Sequence, residues 1–255
     1  MPDLLKSVSS LYDKISSSTL DLDDFCDPSR NHYIPWPSPL EPPDRFETLC
    51  LEDQPPRIQY MGRSIFKEVW KEATGDGFDT FKFNELYLYG PSGMGKSHVL
   101  AALVFSLVQR GDRVVYIPDC RRAAKKPYKN LQKALLFAFH GEEVLQRALA
   151  EAENLDELKD VIDTQSSKSF YLIVDQLNAL DVDDRNEDSD VRDLYTALKS
   201  ISDGQKYIFS ASAGAKSNRA VDKKQTSIKV IRFNVGMTSV RLHTLSNYLV
   251  LYSLG

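Results

Sequence analysis

The stretch LYLYGPSGMGKSHVL, residues 86–100, carries the strongest structural signal in this sequence. It begins with four apolar or aromatic residues, which predict a buried strand. A proline and three glycines follow within residues 90–95, and residues 95–109 are then apolar at helical spacing. This order predicts a strand, a tight loop whose glycines free the backbone, and a helix that begins at the loop.

The spacing within this loop matches a phosphate-binding P-loop, because four residues separate Gly90 from Gly95 and Lys96 and Ser97 follow directly. Glycines let backbone N–H groups point inward at an anion, and the helix adds the positive end of its dipole. We expect Lys96 to reach the β- and γ-phosphates and the Ser97 hydroxyl to ligate Mg²⁺. The residues predicted to line the nucleotide site are Gly90, Pro91, Ser92, Gly93, Met94, Gly95, Lys96, Ser97 and His98. His98 is interpreted as a packing or surface residue rather than a catalyst.

A second acid for the metal stands in FYLIVDQLNAL, residues 170–180, where an apolar strand ends in Asp175. This is the Walker B position, so Asp175 is predicted to bind Mg²⁺ with Ser97. Many ATPases have a glutamate next, whereas this chain has Gln176. An amide can orient water but cannot take a proton, so we expect slow hydrolysis with Gln176 positioning the water. Asp181 and Asp183 are alternative bases, although their acidic loop is more typical of a solvated surface.

A polar side chain that senses the γ-phosphate is expected on a neighbouring strand. The segment KYIFSAS, residues 206–212, reads as that strand and ends in Ser210 and Ser212. Either serine fits the sensor role, and the alternative is an ordinary surface serine at a strand end. Lys96, Asp175, Gln176 and Ser210 are therefore the predicted catalytic residues.

Strand and helix patterns alternate along the chain and predict an α/β fold. We expect a P-loop NTPase with a five-stranded, mainly parallel sheet flanked by helices, and a proline-rich N-terminal arm. Residues 1–33 are interpreted as a polar arm, in which weak helical periodicity leaves a loose helix open. Residues 34–57, with seven prolines, are interpreted as an extended linker or wrapping strap, and residues 58–255 as the NTPase domain. Residues 237–252 are interpreted as a last amphipathic segment.

Bulk composition excludes several classes of protein. The 255 residues carry a formal net charge of −4, so no overall field attracts nucleic acid or anionic membrane. No apolar run approaches the roughly 18 residues that span a bilayer, and no secretory signal pattern opens the chain. Three cysteines without CxxC spacing favour free thiols in a reducing compartment. We therefore expect a cytoplasmic protein without membrane contact.

The segment QYMGRSIF, residues 59–66, resembles the hhGR motif of the STAND branch of AAA+ ATPases. In that motif two apolar residues, a glycine and an arginine cap the adenine side of the nucleotide pocket. The resemblance implies that the base is held by Tyr60, Met61, Gly62 and Arg63.

Four segments taken together resemble the P-loop ATPase domain of the Crinkler effectors, which are related to the retrotransposon-hot-spot proteins of trypanosomes. They are YGPSGMGKSHVLAALV, RVVYIPDCRR, LLFAF and YLIVDQLNALD, and the resemblance covers residues 60 to about 235. It implies ATP as the ligand, a regulatory NTPase switch, and an aspartate–glutamine pair at the Walker B position. It also implies secretion into a host cell and its nucleus, which would allow contact with nucleic acid.

Two other functions remain open at the level of sequence. One is a nucleotide-binding module that acts through protein partners or self-association without turnover. The other is a small-molecule kinase, for which Asp119 is available as the substrate acid although no arginine-rich lid follows. The basic run CRRAAKKPYKN, residues 120–130, offers five cations that could bind nucleic-acid phosphates, supply an arginine finger, or lie in solvent at a helix start.

Overall fold

The computed structural model describes residues 2–52, 54–75, 85–165, 169–181, 189–212 and 228–233. Within these ranges helices and strands follow one another in the alternation expected of an α/β protein. The helices are α1 Pro2–Ser16, α2 Leu22–Cys26, α3 Ile65–Thr74, α4 Lys96–Gln109, α5 Cys120–Ala123, α6 Pro127–Ala138, α7 Glu143–Glu151, α8 Leu155–Gln165 and α9 Ser189–Ile201. The strands are β1 Asn31–Pro35, β2 Thr48–Leu49, β3 Arg57–Met61, β4 Glu85–Gly90, β5 Val114–Ile117, β6 Tyr171–Val174, β7 Lys206–Ser212 and β8 Ile228–Arg232.

A five-stranded sheet in the order β5-β6-β7-β4-β8 forms the centre of the protein. Every neighbouring pair in it is parallel. The predicted α/β fold with a five-stranded parallel sheet is therefore confirmed. Because all five strands run the same way, the loops that follow β4 and β6 leave the same edge of the sheet, with β7 between them.

Both faces of the sheet are covered, which explains why its strands are apolar almost throughout. Leu86 and Leu88 of β4 pack with α1, α3 and α4 on one face, whereas Tyr87 packs with α6 to α9 on the other. Helix α4 is buried along nearly its whole length because it lies between the sheet and the outer helices. A buried α4 holds the loop at its N-terminus in a defined place.

Helix α1 joins this core although its sequence is largely polar. Its residues Val8, Leu11 and Ile15 are buried in the same cluster as α4, and the helix contacts both α4 and α6. After α1, the chain is tied to the end of α4 because the Gln109 side-chain amide donates to Ser18 O at 2.7 Å and to Leu20 O at 2.9 Å. Burial of three aliphatic side chains on one stripe is enough to dock such a helix.

A small antiparallel sheet in the order β1-β3-β2 lies beside the main sheet. Its inner face is apolar, since Ile34 and Ile58 are paired across the strands and both are fully buried. The sequence predicted only an extended linker for residues 34–57, and the structure adds the end of β1, β2 and the start of β3 there. The prolines fall almost entirely between these strands, where no backbone N–H is needed for the ladder.

The segment from Trp36 to Phe46, called the strap below, closes over the end of β5. Trp36 is buried with its ring centroid 5.0 Å from that of Phe46 and 6.0 Å from that of Tyr116. Its indole N–H donates to Leu40 O at 2.5 Å, and the Phe46 ring packs on His98 with centroids 4.6 Å apart. Two buried aromatic anchors therefore hold the strap against the P-loop side of the protein.

Several predicted features fall outside the described residues, among them the amphipathic segment 237–252 and Asp183. All three cysteines are free. In the ranges given above, no helix is both long enough and apolar enough to cross a membrane.

Replacement of Ile15 by alanine tests the docking of α1. Because Ile15 is fully buried against the core, we expect Ile15→Ala to lower the free energy of unfolding by about 2–4 kcal/mol in urea denaturation. Lys14→Ala is the matched control on the exposed side of the same helix, and it should change the free energy by less than about 0.5 kcal/mol. Equal effects would contradict the docking of α1 through its apolar face.

Candidate functional site

The loop between β4 and α4 has the backbone that a P-loop requires. Gly93 and Gly95 have φ angles of 79° and 80°, a region open to glycine at little cost. A Cβ on Gly90 would lie 2.6 Å from Phe233 O, so glycine is also needed there for the close approach of the chain after β8. A Cβ on Gly93 would meet no described atom within 4 Å, so this part of the loop faces open space.

Lys96 lies inside the loop rather than out in solvent. Its side chain is 7% exposed, and Nζ donates to Gly90 O at 2.7 Å and to Pro91 O at 2.8 Å. Burial lowers the pKa of Lys96, and the nearby Asp175 partly opposes this shift. The amine is therefore held at the backbone of the loop.

The other predicted loop residues differ in how far they are buried. Pro91 and Ser92 are exposed at the rim of the loop. Met94 is partly buried and packs against the core. Ser97 lies in the first turn of α4, and its hydroxyl accepts a hydrogen bond from Arg45 Nε at 3.1 Å.

Asp175 ends β6 and is buried, with 1% of its surface exposed. One carboxylate oxygen accepts a short hydrogen bond from the Ser210 hydroxyl on β7. The other accepts from Arg45 Nη2 at 2.9 Å. A buried carboxylate needs such partners because an unpaired charge would be costly to desolvate.

Arg45 of the strap is the principal residue that sequence reasoning missed. Its guanidinium donates to Ser97 Oγ at 3.1 Å through Nε, to Asp119 Oδ2 at 2.8 Å through Nη1, and to Asp175 Oδ2 through Nη2. Nη2 also donates to Pro118 O. One cation thus joins the P-loop helix, the end of β5 and the end of β6. A lone arginine in a proline-rich segment carries no motif that could have marked it.

The oxygen atoms around Arg45 suit a magnesium ion. Ser97 Oγ and the carboxylates of Asp175 and Asp119 surround one cationic group, and hard oxygen donors are the ligands that Mg²⁺ prefers. In the part of the chain that the structure describes, no group of three or more His, Cys, Asp or Glu residues is arranged to hold a metal. A metal held here by Ser97 and Asp175 would take its remaining ligands from phosphate and water, which is usual for Mg²⁺.

Gln176 adopts a left-handed backbone, with φ 59° and ψ 43°, where the chain turns from β6 into the single-turn 3₁₀ helix Leu177–Leu180. It is the one non-glycine residue with positive φ in the described ranges. Its backbone N–H donates to Ser210 Oγ at 3.3 Å. Ser210 therefore links Asp175 to the turn that carries Gln176, while the side chain of Ser212 lies outside what the structure describes. Backbone strain of this kind often occurs at functional turns.

Of the four residues proposed to hold the base, Arg63 approaches the P-loop most directly. A Cβ on Gly95 would lie 2.5 Å from Arg63 Cζ, so the guanidinium packs on that glycine. The Arg63 Nε atom is buried and has no hydrogen-bond partner among the described groups. An arginine in this position adds positive charge beside the loop.

The remaining three residues of that motif have structural contacts. Tyr60 is fully buried and donates to Phe25 O at 3.1 Å. A Cβ on Gly62 would lie 2.0 Å from Asp27 O, so only glycine fits there. Met61 is 52% exposed. The contacts of Tyr60 and Gly62 fix the backbone that carries Arg63 to the loop.

The basic run and Asp119 take part in the site through the strap. The Arg122 guanidinium pairs with the Asp44 carboxylate at 2.5 Å and donates to Pro42 O at 3.2 Å. Asp119 caps α5 by accepting from the Arg122 backbone N–H at 3.1 Å. The other cations of the run are exposed: Arg121, Lys125, Lys126 and Lys129.

A parallel sheet with a glycine loop, a buried loop lysine and a buried aspartate at the end of β6 defines a nucleotide-binding P-loop NTPase. The chain belongs to the family Novel STAND NTPase 1 (nSTAND1), whose model matches residues 59–214. The STAND assignment predicted from the 59–66 motif is confirmed at this level. The narrower resemblance to Crinkler and retrotransposon-hot-spot proteins is not confirmed by the match.

Other known proteins show more distant likeness. A stretch of 51 residues is 39% identical to the chromosomal replication initiator protein DnaA 2 of Chlamydia caviae and covers 19% of this chain and 11% of that protein. Among solved structures, a DNA replication initiation factor matches with a TM-score of 0.38, 16% identity, and coverage of 74% of this chain and 49% of that one. AMPPCP-bound DnaA from Aquifex aeolicus matches with a TM-score of 0.37, 15% identity, and coverage of 67% and 44%. The chain spans less than half the length of each of these proteins.

The pH dependence of stability should report the burial of His98. Burial first, and then the charges of Arg63 and Arg45, lower the pKa of His98 to about 4. In the unfolded chain a histidine has a pKa of about 6.5. The unfolded state therefore takes up this proton first, so the contribution of His98 to stability is complete above about pH 6.5 and is lost as the pH falls toward 4.

Replacement of His98 by glutamine should remove this dependence. Both proteins are denatured with urea between pH 7 and pH 4. As the pH falls over that interval, the free energy of unfolding of the wild type should decrease by roughly 2–3 kcal/mol relative to that of His98→Gln. A difference between the two proteins that stays constant with pH would contradict a neutral, buried His98.

Proposed function

We propose that the protein is an ATP-binding, slowly hydrolysing P-loop NTPase that acts as a regulatory switch. The observation that carries the proposal is the meeting of Lys96, Ser97 and Asp175 at the carboxyl edge of one parallel sheet. Ser97 and Asp175 lie close enough for one guanidinium to bond to both. Lys96 occupies the loop beside them. This constellation suits a triphosphate tail and Mg²⁺ better than any other ligand class.

Each residue has a distinct role in the proposed site. Lys96 exchanges its two carbonyl contacts for phosphate oxygens, and the backbone N–H groups around Gly93 add further donors. Ser97 and Asp175 hold Mg²⁺, which neutralises phosphate charge when it is bound. Ser210 fixes the rotamer of Asp175 through its hydrogen bond, and Arg63 contributes a second cation next to Gly95.

Slow turnover follows from the residue after Asp175. Hydrolysis requires a water that attacks the γ-phosphorus and breaks its bond to the β–γ bridging oxygen. Gln176 can orient that water through its amide but cannot accept its proton. A low rate suits a switch, because the bound nucleotide then sets how long one state persists.

The preference for adenine rests on the family and on the motif at residues 60–63. Membership in the nSTAND1 family supports nucleotide binding, and the chain has no NKxD guanine motif. Direct comparison of ATP and GTP affinities in the binding experiment below tests this preference.

Calorimetric titration with Mg²⁺–ATP tests nucleotide binding. Lys96→Ala removes a buried cation that would form charge-assisted hydrogen bonds to phosphate, so we expect affinity to fall by about 10- to 100-fold. Lys125→Ala is the matched control, since Lys125 is exposed in the basic run. Its affinity should equal that of the wild type. No uptake of any nucleoside triphosphate by the folded wild type would refute the proposed function.

Phosphate release, measured with Mg²⁺ and again with a chelator, tests turnover. We expect Asp175→Asn to keep nucleotide affinity within a factor of about ten while abolishing metal-dependent phosphate release, because the amide has lost the charge that holds the metal. Asp112→Asn is the control, since Asp112 pairs with Arg110 away from the loop. Binding without any turnover in the wild type would favour a nucleotide-holding interaction module instead.

A further inference from the structure

The position of Arg45 has a consequence for metal binding. Its single guanidinium bonds to both residues assigned to Mg²⁺, reaching Ser97 Oγ at 3.1 Å and Asp175 Oδ2 at 2.9 Å. It also bonds to Asp119 Oδ2 at 2.8 Å. The strap thus places a positive charge of the chain itself where the proposed function places a positive ion.

A guanidinium and a magnesium ion cannot occupy this position together. Mg²⁺ binds its oxygen ligands at about 2.0–2.1 Å, so it would need the same oxygen atoms of Ser97 and Asp175 that now accept from Arg45. Two cations sharing these oxygens would also repel each other strongly, because the Asp175 side chain is only 1% exposed and the site is poorly screened. Binding of the ion therefore requires that Arg45 leave.

Arg45 is also held from the strap side. Its neighbour Asp44 pairs with Arg122 at 2.5 Å, and its other neighbour Phe46 is buried against His98 and Trp36. The guanidinium packs over the Phe46 ring as well, 5.5 Å from its centroid. The aromatic contacts of Phe46 on one flank hold the arginine in place, and the exposed Asp44–Arg122 pair on the other flank adds a smaller contribution.

We propose that Arg45 is a tethered internal cation that blocks the magnesium position, so that Mg²⁺–nucleotide binds only when the guanidinium is exchanged for the ion. The inference rests on the proposed function, because it assigns Ser97 and Asp175 to Mg²⁺. It adds a way in which the chain itself regulates the binding of Mg²⁺ at that site. The apparent association constant for Mg²⁺–nucleotide is the intrinsic constant multiplied by the fraction of molecules in which Arg45 has left the position.

The free protein supplies a first test that needs no nucleotide. Arg45→Met removes the charge but keeps an unbranched apolar stem, and it leaves the Asp175 and Asp119 carboxylates without their cation. We expect Mg²⁺ alone at millimolar concentration to raise the melting temperature of Arg45→Met by several degrees and to leave that of the wild type unchanged. Arg113→Met, which breaks a pair with Glu142 away from the site, is the matched control and should behave as the wild type does.

Nucleotide titrations with and without Mg²⁺ supply the second test. For each protein, the ratio of the dissociation constant in chelator to that in Mg²⁺ measures how much the ion strengthens binding. We expect this ratio to be at least about tenfold larger in Arg45→Met than in the wild type and in Arg113→Met. An unchanged ratio would overturn the proposal.

A second variant keeps the test decisive should Arg45→Met fold poorly. Asp119→Asn removes one carboxylate partner of Arg45 but keeps a side-chain oxygen that can cap α5, since asparagine caps helices as well as aspartate does. It leaves both proposed metal ligands intact. We expect its ratio to rise in the same direction by a smaller factor.

The outcomes separate this inference from the proposed function. Weaker Mg²⁺–nucleotide binding in Arg45→Met would mean that Arg45 contacts the nucleotide instead of blocking the metal, and would overturn the inference alone. Absence of nucleotide binding in every variant would refute the proposed function. Selective stabilisation of Arg45→Met by free Mg²⁺ would then still support a blocked cation position.

Discussion

The buried charge of Asp175 is the constraint on which the site depends. A carboxylate with 1% of its surface exposed, at the carboxyl edge of a parallel sheet, is stable only when its oxygens are paired. Ser210 satisfies one oxygen and Arg45 the other. Since these partners come from β7 and from the strap, neutralising one aspartate fixes the relative positions of the sheet and the N-terminal region. The same oxygens are those that a metal would require.

The strap positions Arg45 through its aromatic anchors. Trp36 and Phe46 bury aromatic surface near Tyr116 and His98, and these contacts hold the strap where Arg45 reaches Ser97. Packing and electrostatics therefore support each other: the aromatic anchors limit the positions available to the arginine, and the arginine neutralises the acids below it.

Local sequence sufficed for the sheet and for the P-loop. The apolar runs of β4 and β6 are recognisable because strands covered on both faces are largely apolar. The glycines of residues 90–95 are informative, since Gly93 and Gly95 have φ angles of about 80°, which most side chains disfavour. The sequence also predicts the STAND motif, but its residues make different contacts: Arg63 packs on Gly95, whereas Tyr60 and Gly62 pack against α2 and the residue that follows it.

Local sequence alone predicts an α/β chain with a phosphate-binding loop and an aspartate at the Walker B position, because those features depend on neighbours a few residues apart. The burial of α1 in the core and the contacts of Arg45 with Ser97, Asp119 and Asp175 are instead set by tertiary packing. The arginine lies 52 residues from Ser97, 74 from Asp119 and 130 from Asp175. Such contacts follow from how the strap packs after the chain has folded, and no periodicity or spacing along the chain encodes them.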